Sequence, residues 1–278
     1  MGTTKTRRQR ELEARRAARQ AERRMAAQRR RRRTITGVAT GLVVVAGAGV
    51  ISLILLSGGG SGSTASTAAA TGSATPTAAK SGTTTTVGSC TYTSTGQAPS
   101  RAVSLPAAAS TVSTKPATMT IVTSLGTMKA DLDAAAAPCT VHALLDLAQA
   151  KFFNNTQCHR ETTDGIFVLQ CGDPTATGQG GPGFQYKNEN TKDVNYNRGV
   201  IAMANAGADT NGSQFFINYK DPAASGAQAL AGKYTVVGKI TQGLDILDKI
   251  TSPGVEGGGT DGTPASKPVI TSLTITQS

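Results

Sequence analysis

The chain has 278 residues, 28 Lys+Arg against 17 Asp+Glu, and a formal net charge of +11. Residues 1–33 hold 14 of the bases and three of the acids, so everything after them balances at 14 of each. The high isoelectric point therefore belongs to a tail, and a globular domain gripping nucleic acid through a basic face finds no support.

The basic tail, residues 1–33, is rich in Arg, Ala, Gln and Glu and ends in the run Arg29 to Arg33. Residues 34–56 read as a transmembrane helix. Ile35 to Leu56 contains no charged residue across 22 positions. At about 1.5 Å per residue, a helix of that length spans roughly the 30 Å hydrocarbon core of a bilayer. The adjacent arginines place the tail in the cytoplasm, against anionic lipid headgroups, and everything after Ser57 outside the cell membrane. The basic region is too long, and the apolar run too extended, for a cleaved signal peptide. From Ser57 to Ser89, 30 of 33 residues are Ser, Thr, Gly or Ala. Such a segment cannot bury enough apolar area to offset its chain entropy. Residues 57–114 are assigned to a flexible linker, with Cys90, Tyr92 and Val103 suggesting that its end packs on the domain at residues 115–278.

Within that domain Thr118 to Leu125 alternates, Gly126-Thr127 turns the chain, and Met128 to Leu132 returns, giving a hairpin. Thr140 to Ala150 carries Val141, Leu144, Leu145 and Ala148 at helical spacing, with Pro138 just before it. Arg160 and Ile166 to Leu169 suggest a second hairpin. Pro182-Gly183 and the Asn-rich stretch 188–197 read as loop. Val200 to Met203 and Phe215-Phe216-Ile217 read as strands about a loop of Asn, Asp and Gly. Tyr234 to Ile240 reads as a strand, Leu244 to Ile250 as a short helix, and Val269 to Ile275 as a last strand. Many short strands with few helices favour a mostly β protein and a closed antiparallel barrel over a parallel sheet.

The usual catalytic constellations are missing. The chain has two histidines. His142 falls inside the first helix and is most simply a surface or packing residue. His159 neighbours Cys158, but without further spaced ligands the pair is weak evidence for zinc. Two histidines and no nucleophile turn speak against a serine hydrolase. Gly178 to Gly183 lacks the Lys-Ser/Thr ending of a phosphate loop.

What remains is the run Cys158-His-Arg-Glu-Thr-Thr-Asp-Gly-Ile-Phe-Val-Leu-Gln-Cys-Gly-Asp-Pro174, then Gly180-Gly-Pro-Gly183, then Arg198 to Ile217, then Gly232-Lys-Tyr-Thr-Val-Val-Gly238. In this order they resemble the motifs of cyclophilin-type peptidyl-prolyl isomerases over about residues 115–278. The resemblance implies an eight-stranded closed barrel with two capping helices, and a bacterial, membrane-anchored form of the family. It also implies isomerisation of X–Pro bonds in proline-containing unfolded or exported polypeptides, with no cofactor and no metal. Arg160 falls on the family's catalytic arginine. Phe167, Val168, Gln170, Ala204, Asn205, Gln214, Phe216, Leu230 and Tyr234 fall on substrate-binding positions. The turn between Arg160 and Phe167 is two residues longer than the family pattern, so Phe167 is placed by counting back from Gln170, and Ile166 is the alternative. The pocket-rim tryptophan of the family is replaced by Ala229, which implies weaker cyclosporin binding.

Four cysteines outside the membrane suit disulfides. Cys158 and Cys171 flank the Arg160 hairpin, which leaves Cys90 to pair with Cys139; three connectivities are open to the sequence, as are free thiols. Two functions stay open: an active isomerase, or a peptide-binding chaperone module that holds its ligand with little turnover.

Overall fold

The computed structural model describes residues 82–278. The basic tail 1–33, the segment 34–56 read as a transmembrane helix and the first part of the linker lie outside the described residues. Among the described residues no helix is long and apolar enough to cross a membrane.

The first elements are a hairpin of Thr84–Val87 (β1) and Cys90–Ser94 (β2). Both lie inside the stretch 57–114 assigned to the flexible linker, which is instead ordered at Thr84–Val87 and Cys90–Ser94. Val87, Cys90 and Tyr92 are buried, and Tyr92 packs edge-on to Phe184 and Tyr186. The Thr-rich composition hid a strand whose alternate residues face the core.

Next come Ala117–Thr123 (β3), Gly126–Leu132 (β4), the helix Pro138–Gln149 (α1), Thr156–Gln157 (β5), Arg160–Thr162 (β6) and Val168–Cys171 (β7). Then follow Phe184–Gln185 (β8), Val200–Met203 (β9), Phe215–Asn218 (β10), the helix Ala224–Leu230 (α2) and Val236–Gln242 (β11). The helix Leu244–Thr251 (α3), Asp261–Gly262 (β12) and Val269–Gln277 (β13) complete the chain. The hairpins, α1, α3 and the last strand stand where the hydrophobic patterning puts them. Neither α2 nor β12 was anticipated. Ala224–Leu230 has a glycine at Gly226 and no apolar periodicity, so only tertiary contact makes it helical.

Pro138 opens α1 at a position where its missing N–H costs nothing. The helix has no local cap. Glu189, from the Asn-rich loop, accepts from the Cys139 and Thr140 amides at 3.1 and 2.8 Å, an anion at the positive helix end.

Strands β1, β2 and β8 form a small sheet, and the other ten form a second sheet in the order β12-β6-β7-β10-β9-β11-β4-β3-β13-β5. All their ladders are antiparallel. The expected closed barrel of eight strands with two helices is therefore corrected. Ten strands take part, three helices flank them, and the end strands β12 and β5 share no ladder. The cause is a change of partner within one extended segment. The Cys158 amide donates to Pro268 O and the His159 amide to Gln170 O, so the chain leaves β13 for β7 between β5 and β6. The sheet curls there without its hydrogen-bond ladder running full circle.

Strands β9 and β10 are buried on both faces. Alternation sends Ile201, Met203, Phe215 and Ile217 into the large core, and Ala202 and Phe216 into a second, smaller apolar cluster on the other side. Strand β7 divides likewise, with Leu169 inward and Val168 outward. A slip of one residue in β10 would exchange the two sets.

Glu161 faces the core beside Leu169. It is fully buried, and neither carboxyl oxygen has a hydrogen-bond partner. Burial pushes its pKa up from 4.5 to about 7. A raised value in the folded state means that the group does not oppose folding below pH 4.5, and that stability falls as pH rises from there through about 7. Glu161→Gln should therefore gain stability over the parent by on the order of 3 kcal/mol between pH 4 and pH 8; urea unfolding of both proteins across that range measures it.

Cys158 is bonded to Cys171 and Cys90 to Cys139, with no free cysteine among the described residues. The bonds close sequence separations of 13 and 49 residues. Chain-entropy reasoning gives about 3 and about 4 kcal/mol respectively. Replacing each pair by serines should lower the denaturation free energy in that order, with Cys90→Ser/Cys139→Ser the costlier pair.

Candidate functional site

The register of four strands assembles the site. Arg160 pairs with Gln170 across β6 and β7, Gln170 with Phe216 across β7 and β10, and Phe216 with Ala202 across β10 and β9. Residues directly opposite on adjacent strands share a face, so Arg160, Gln170, Phe216 and Ala202 stand in one row on the outer side of the sheet. Val168 lies on that face two residues before Gln170.

Side-chain hydrogen bonds lock this row into one chain. Arg160 Nε and Nη2 donate to the two Asp261 carboxylate oxygens at 2.7 and 2.9 Å, a bidentate pair. Arg160 Nη1 donates to Gln170 Oε1 at 3.1 Å. Gln170 Nε2 donates to Gln214 Oε1 at 2.8 Å, and Gln214 Nε2 to the carbonyls of Gly178 and Gly180 at 3.1 and 2.9 Å. The loop that bears those carbonyls is held in turn by Asp173, a buried carboxylate that accepts from the amides of Thr175, Gly178 and Gly180 at 2.7, 2.7 and 3.0 Å. A side chain at Gly180 would have its Cβ 2.0 Å from Asp173 Oδ1, so this loop closes only around glycine.

The charges follow from these partners. Hydrogen bonds to Asp261 raise the Arg160 pKa against the cost of burial. Burial opposes ionisation of Asp173, but the hydrogen bonds from Thr175, Gly180 and Gly178 outweigh it and hold the carboxyl below its usual value. Burial lowers the pKa of His159, which keeps its imidazole neutral; Asp173 pulls the other way and Arg160 adds to the shift. His142 lies between Asp146, 3.6 Å away, and the Tyr92 ring.

The apolar part of the site is the second cluster. Val168, Phe216, Leu230, Ala202 and Tyr196 are buried, and Ile166, Ala204 and Tyr234 pack at its edge. The Tyr234 ring meets Phe216 edge-on at 5.5 Å, and Tyr196 lies nearly parallel to Phe216 at 6.5 Å. Tyr196 also donates to Tyr234 O at 2.8 Å. Beside the cluster runs a groove of about 470 Å³ lined by Gln170, Ala204, Asn205, Gln214, the Gly178–Gly183 loop and Gln97. The Asn205 side chain donates to Lys233 O at 3.0 Å and accepts from the Gly207 amide, which fixes the strand end after β9.

Arg160, Val168, Gln170, Ala204, Asn205, Gln214, Phe216, Leu230 and Tyr234 thus come together. Phe167 does not. Its ring packs against Tyr219 at 6.0 Å, with Lys220 Nζ 4.7 Å from its centroid, while Ile166 joins the apolar cluster. The two extra residues of the turn let Ile166 reach the place that counting from Gln170 gives to Phe167. Sequence reasoning also missed Asp261 and Tyr196. Asp261 is 101 positions from Arg160 in a Gly-rich stretch with no pattern of its own. Tyr196 was legible only as the lone aromatic of the Asn-rich loop.

The arrangement offers a fixed cation, neutral amide donors and acceptors, and an apolar patch. Cys158 is tied in a disulfide, and the described residues contain no cluster of His, Cys, Asp or Glu able to hold a metal ion. Of the five N–H bonds of the Arg160 guanidinium, three are committed; one on Nη1 and one on Nη2 remain for a ligand.

Residues 118–275 match the family model for cyclophilin type peptidyl-prolyl cis-trans isomerase/CLD. A probable peptidyl-prolyl cis-trans isomerase B of Mycobacterium tuberculosis is 46% identical over 178 residues, covering 58% of this chain and 56% of that protein. The protein of the same name from Mycobacterium leprae is 44% identical over 184 residues, covering 60% of each. The chain thus spans little more than half the length of these relatives. Among solved structures, a Cryptosporidium parvum cyclophilin type peptidyl-prolyl cis-trans isomerase, determined in the presence of the dipeptide Ala-Pro, is 29% identical. It superposes with a TM-score of 0.51 over 58% of this chain and 99% of its own. Matched in sequence over more than half its length, and carrying Arg160, Gln170 and Gln214 on one sheet face beside an apolar cluster, this chain belongs to the cyclophilin family.

Proposed function

We propose that this chain is a peptidyl-prolyl cis-trans isomerase that assists exported polypeptides to fold. The observation that carries the reading is the Arg160 guanidinium, held on two sides by Asp261 and Gln170 with N–H bonds to spare, next to an apolar cluster. Rotation about X–Pro faces a barrier of about 18–20 kcal/mol because the amide is conjugated. A guanidinium N–H directed at the prolyl nitrogen favours its pyramidal form, which exists only in the twisted transition state. The apolar edge made by Ile166, Ala204 and Tyr234 over Phe216 supports the proline ring. Asn205 and Gln214 hold the flanking peptide backbone. Such catalysis calls for no covalent intermediate, cofactor or metal.

The place of work is proposed from the sequence: a cytoplasmic basic tail at residues 1–33 on anionic lipid headgroups, a single span through the bilayer at 34–56, and the isomerase domain outside the membrane. The uncharged run beside five consecutive arginines supports it. The remainder of the chain balances at 14 bases and 14 acids, so it offers nucleic acid no net positive charge.

A second reading, a peptide-holding module with little turnover, draws on the bidentate pair by which Asp261 already engages Arg160. The two readings diverge in one experiment. With an Ala-Pro peptide, exchange NMR reads cis–trans interconversion and peptide affinity in the same sample. Arg160→Ala should cut the catalysed rate by about 10²-fold or more, as for loss of one transition-state donor, while Kd moves by less than about threefold. A parent protein that binds the peptide without speeding its interconversion would make the holding module the correct reading. Asp261→Asn should lower kcat by a smaller factor, within about tenfold, with KM unchanged, because it loosens the guanidinium without removing it.

A further inference from the structure

Residues 82–114 lie outside the region matched by the family model, yet part of this arm forms a wall of the groove beside the apolar cluster. The arm is pinned at every stage. The Cys90–Cys139 disulfide ties it to α1, and Thr93 and Ser94 pair with Gln185 and Phe184 of β8. The Thr95 amide donates to Gly183 O at 2.9 Å. The Ser100 amide donates to Gly181 O at 2.8 Å, and Ser100 Oγ accepts from the Gly181 amide at 2.9 Å. Arg101 Nη1 donates to the carbonyls of Lys151, Phe152 and Asn154, where a cation suits the negative end of α1. Gly183 has a φ of +75°, and a Cβ there would sit 2.8 Å from Gln97 O, so the loop accepts the arm only because it is glycine. Between these anchors Gln97 and Ala98 are exposed and line the groove together with Asn205 and Gln214. None of the described residues lining the groove is charged.

We propose that the Gln97–Ser100 segment is a specificity wall: it selects, among proline peptides, those with a small uncharged side chain at a position flanking the proline. The wall takes no part in the isomerisation itself, since neither Arg160 nor any buried residue of the apolar cluster lines this groove. A charged flanking side chain would have to shed water among amides and glycines that offer it no counter-ion. A serine or asparagine exchanges its water for the Gln97 side-chain amide and the one uncommitted N–H of the Asn205 amide. The inference rests on the isomerase reading for the identity of its ligand.

The test uses the full chain and two peptide series, Xaa-Ala-Pro-Phe and Ala-Pro-Phe-Xaa, with Xaa as Ser, Asn, Asp or Lys. In one series kcat/KM should favour Ser and Asn over Asp and Lys by about fivefold or more. Gln97→Glu should raise the Lys-to-Asp ratio in that series by about fivefold, and Gln97→Lys should lower it by a similar factor, the scale of a single partly exposed charge pair. Ala98→Lys, at a second exposed site on the same wall, should act in the same direction as Gln97→Lys. Equal rates across both series, or ratios that none of the three variants moves, would overturn the wall and leave the isomerase reading standing. If no peptide is turned over, Kd values from calorimetry decide. Discrimination that follows the variants keeps the wall while the isomerase reading fails, and binding without discrimination, or no binding, removes the wall.

Discussion

A single run of hydrogen bonds, from Asp261 through Arg160, Gln170 and Gln214 to the Gly178–Gly180 carbonyls and Asp173, ties together elements far apart in the chain. Each member has its donors and acceptors directed by the next, so the guanidinium has one orientation rather than many. Its two ends are carboxylates of opposite character. Asp261 is half exposed and neutralises a cation; Asp173 is buried and is kept ionised by backbone amides. A half-exposed cation gains little energy from such a pair, so what these partners supply is orientation rather than stability. The spare N–H bonds of Arg160 are what this arrangement leaves for a ligand.

The run is possible because β6, β7 and β10 hold strict register. Alternation in β10 sends Phe215 and Ile217 to the large core and Phe216 to the outer cluster, so one strand supports both stability and the site. The Cys158–Cys171 bond fastens the hairpin that carries Arg160 and Gln170. The Cys90–Cys139 bond fastens the arm that walls the groove. The two covalent links thus serve the two surfaces that a peptide would meet.

Much of this was legible in the sequence. Period-2 alternation gave β3 and β4 and helical spacing gave α1, because in each the pattern coincides with burial, while short apolar runs beside turn formers marked β9 and β10. Motif order brought nine of the ten proposed site residues to one place. What escaped has physical causes. The Thr-rich β1–β2 hairpin has the composition of a linker and is ordered by tertiary packing of Tyr92 and by a disulfide. Asp261 meets Arg160 only after the chain has folded, and nothing local marks it. Phe167 was displaced because the longer turn lets Ile166 fill the outer cluster. Barrel closure depends on hydrogen bonds between distant strands, which no local pattern reports.

The central claim is that the fixed Arg160 guanidinium lowers the barrier to X–Pro rotation. Its most direct test follows the slow, proline-limited phase in refolding of a model protein with the full chain added in catalytic amounts. The slow phase should shorten in proportion to the amount added, and it should return to its uncatalysed rate when Arg160→Ala replaces the parent. A slow phase unchanged by the parent protein, or shortened equally by Arg160→Ala, would contradict the account.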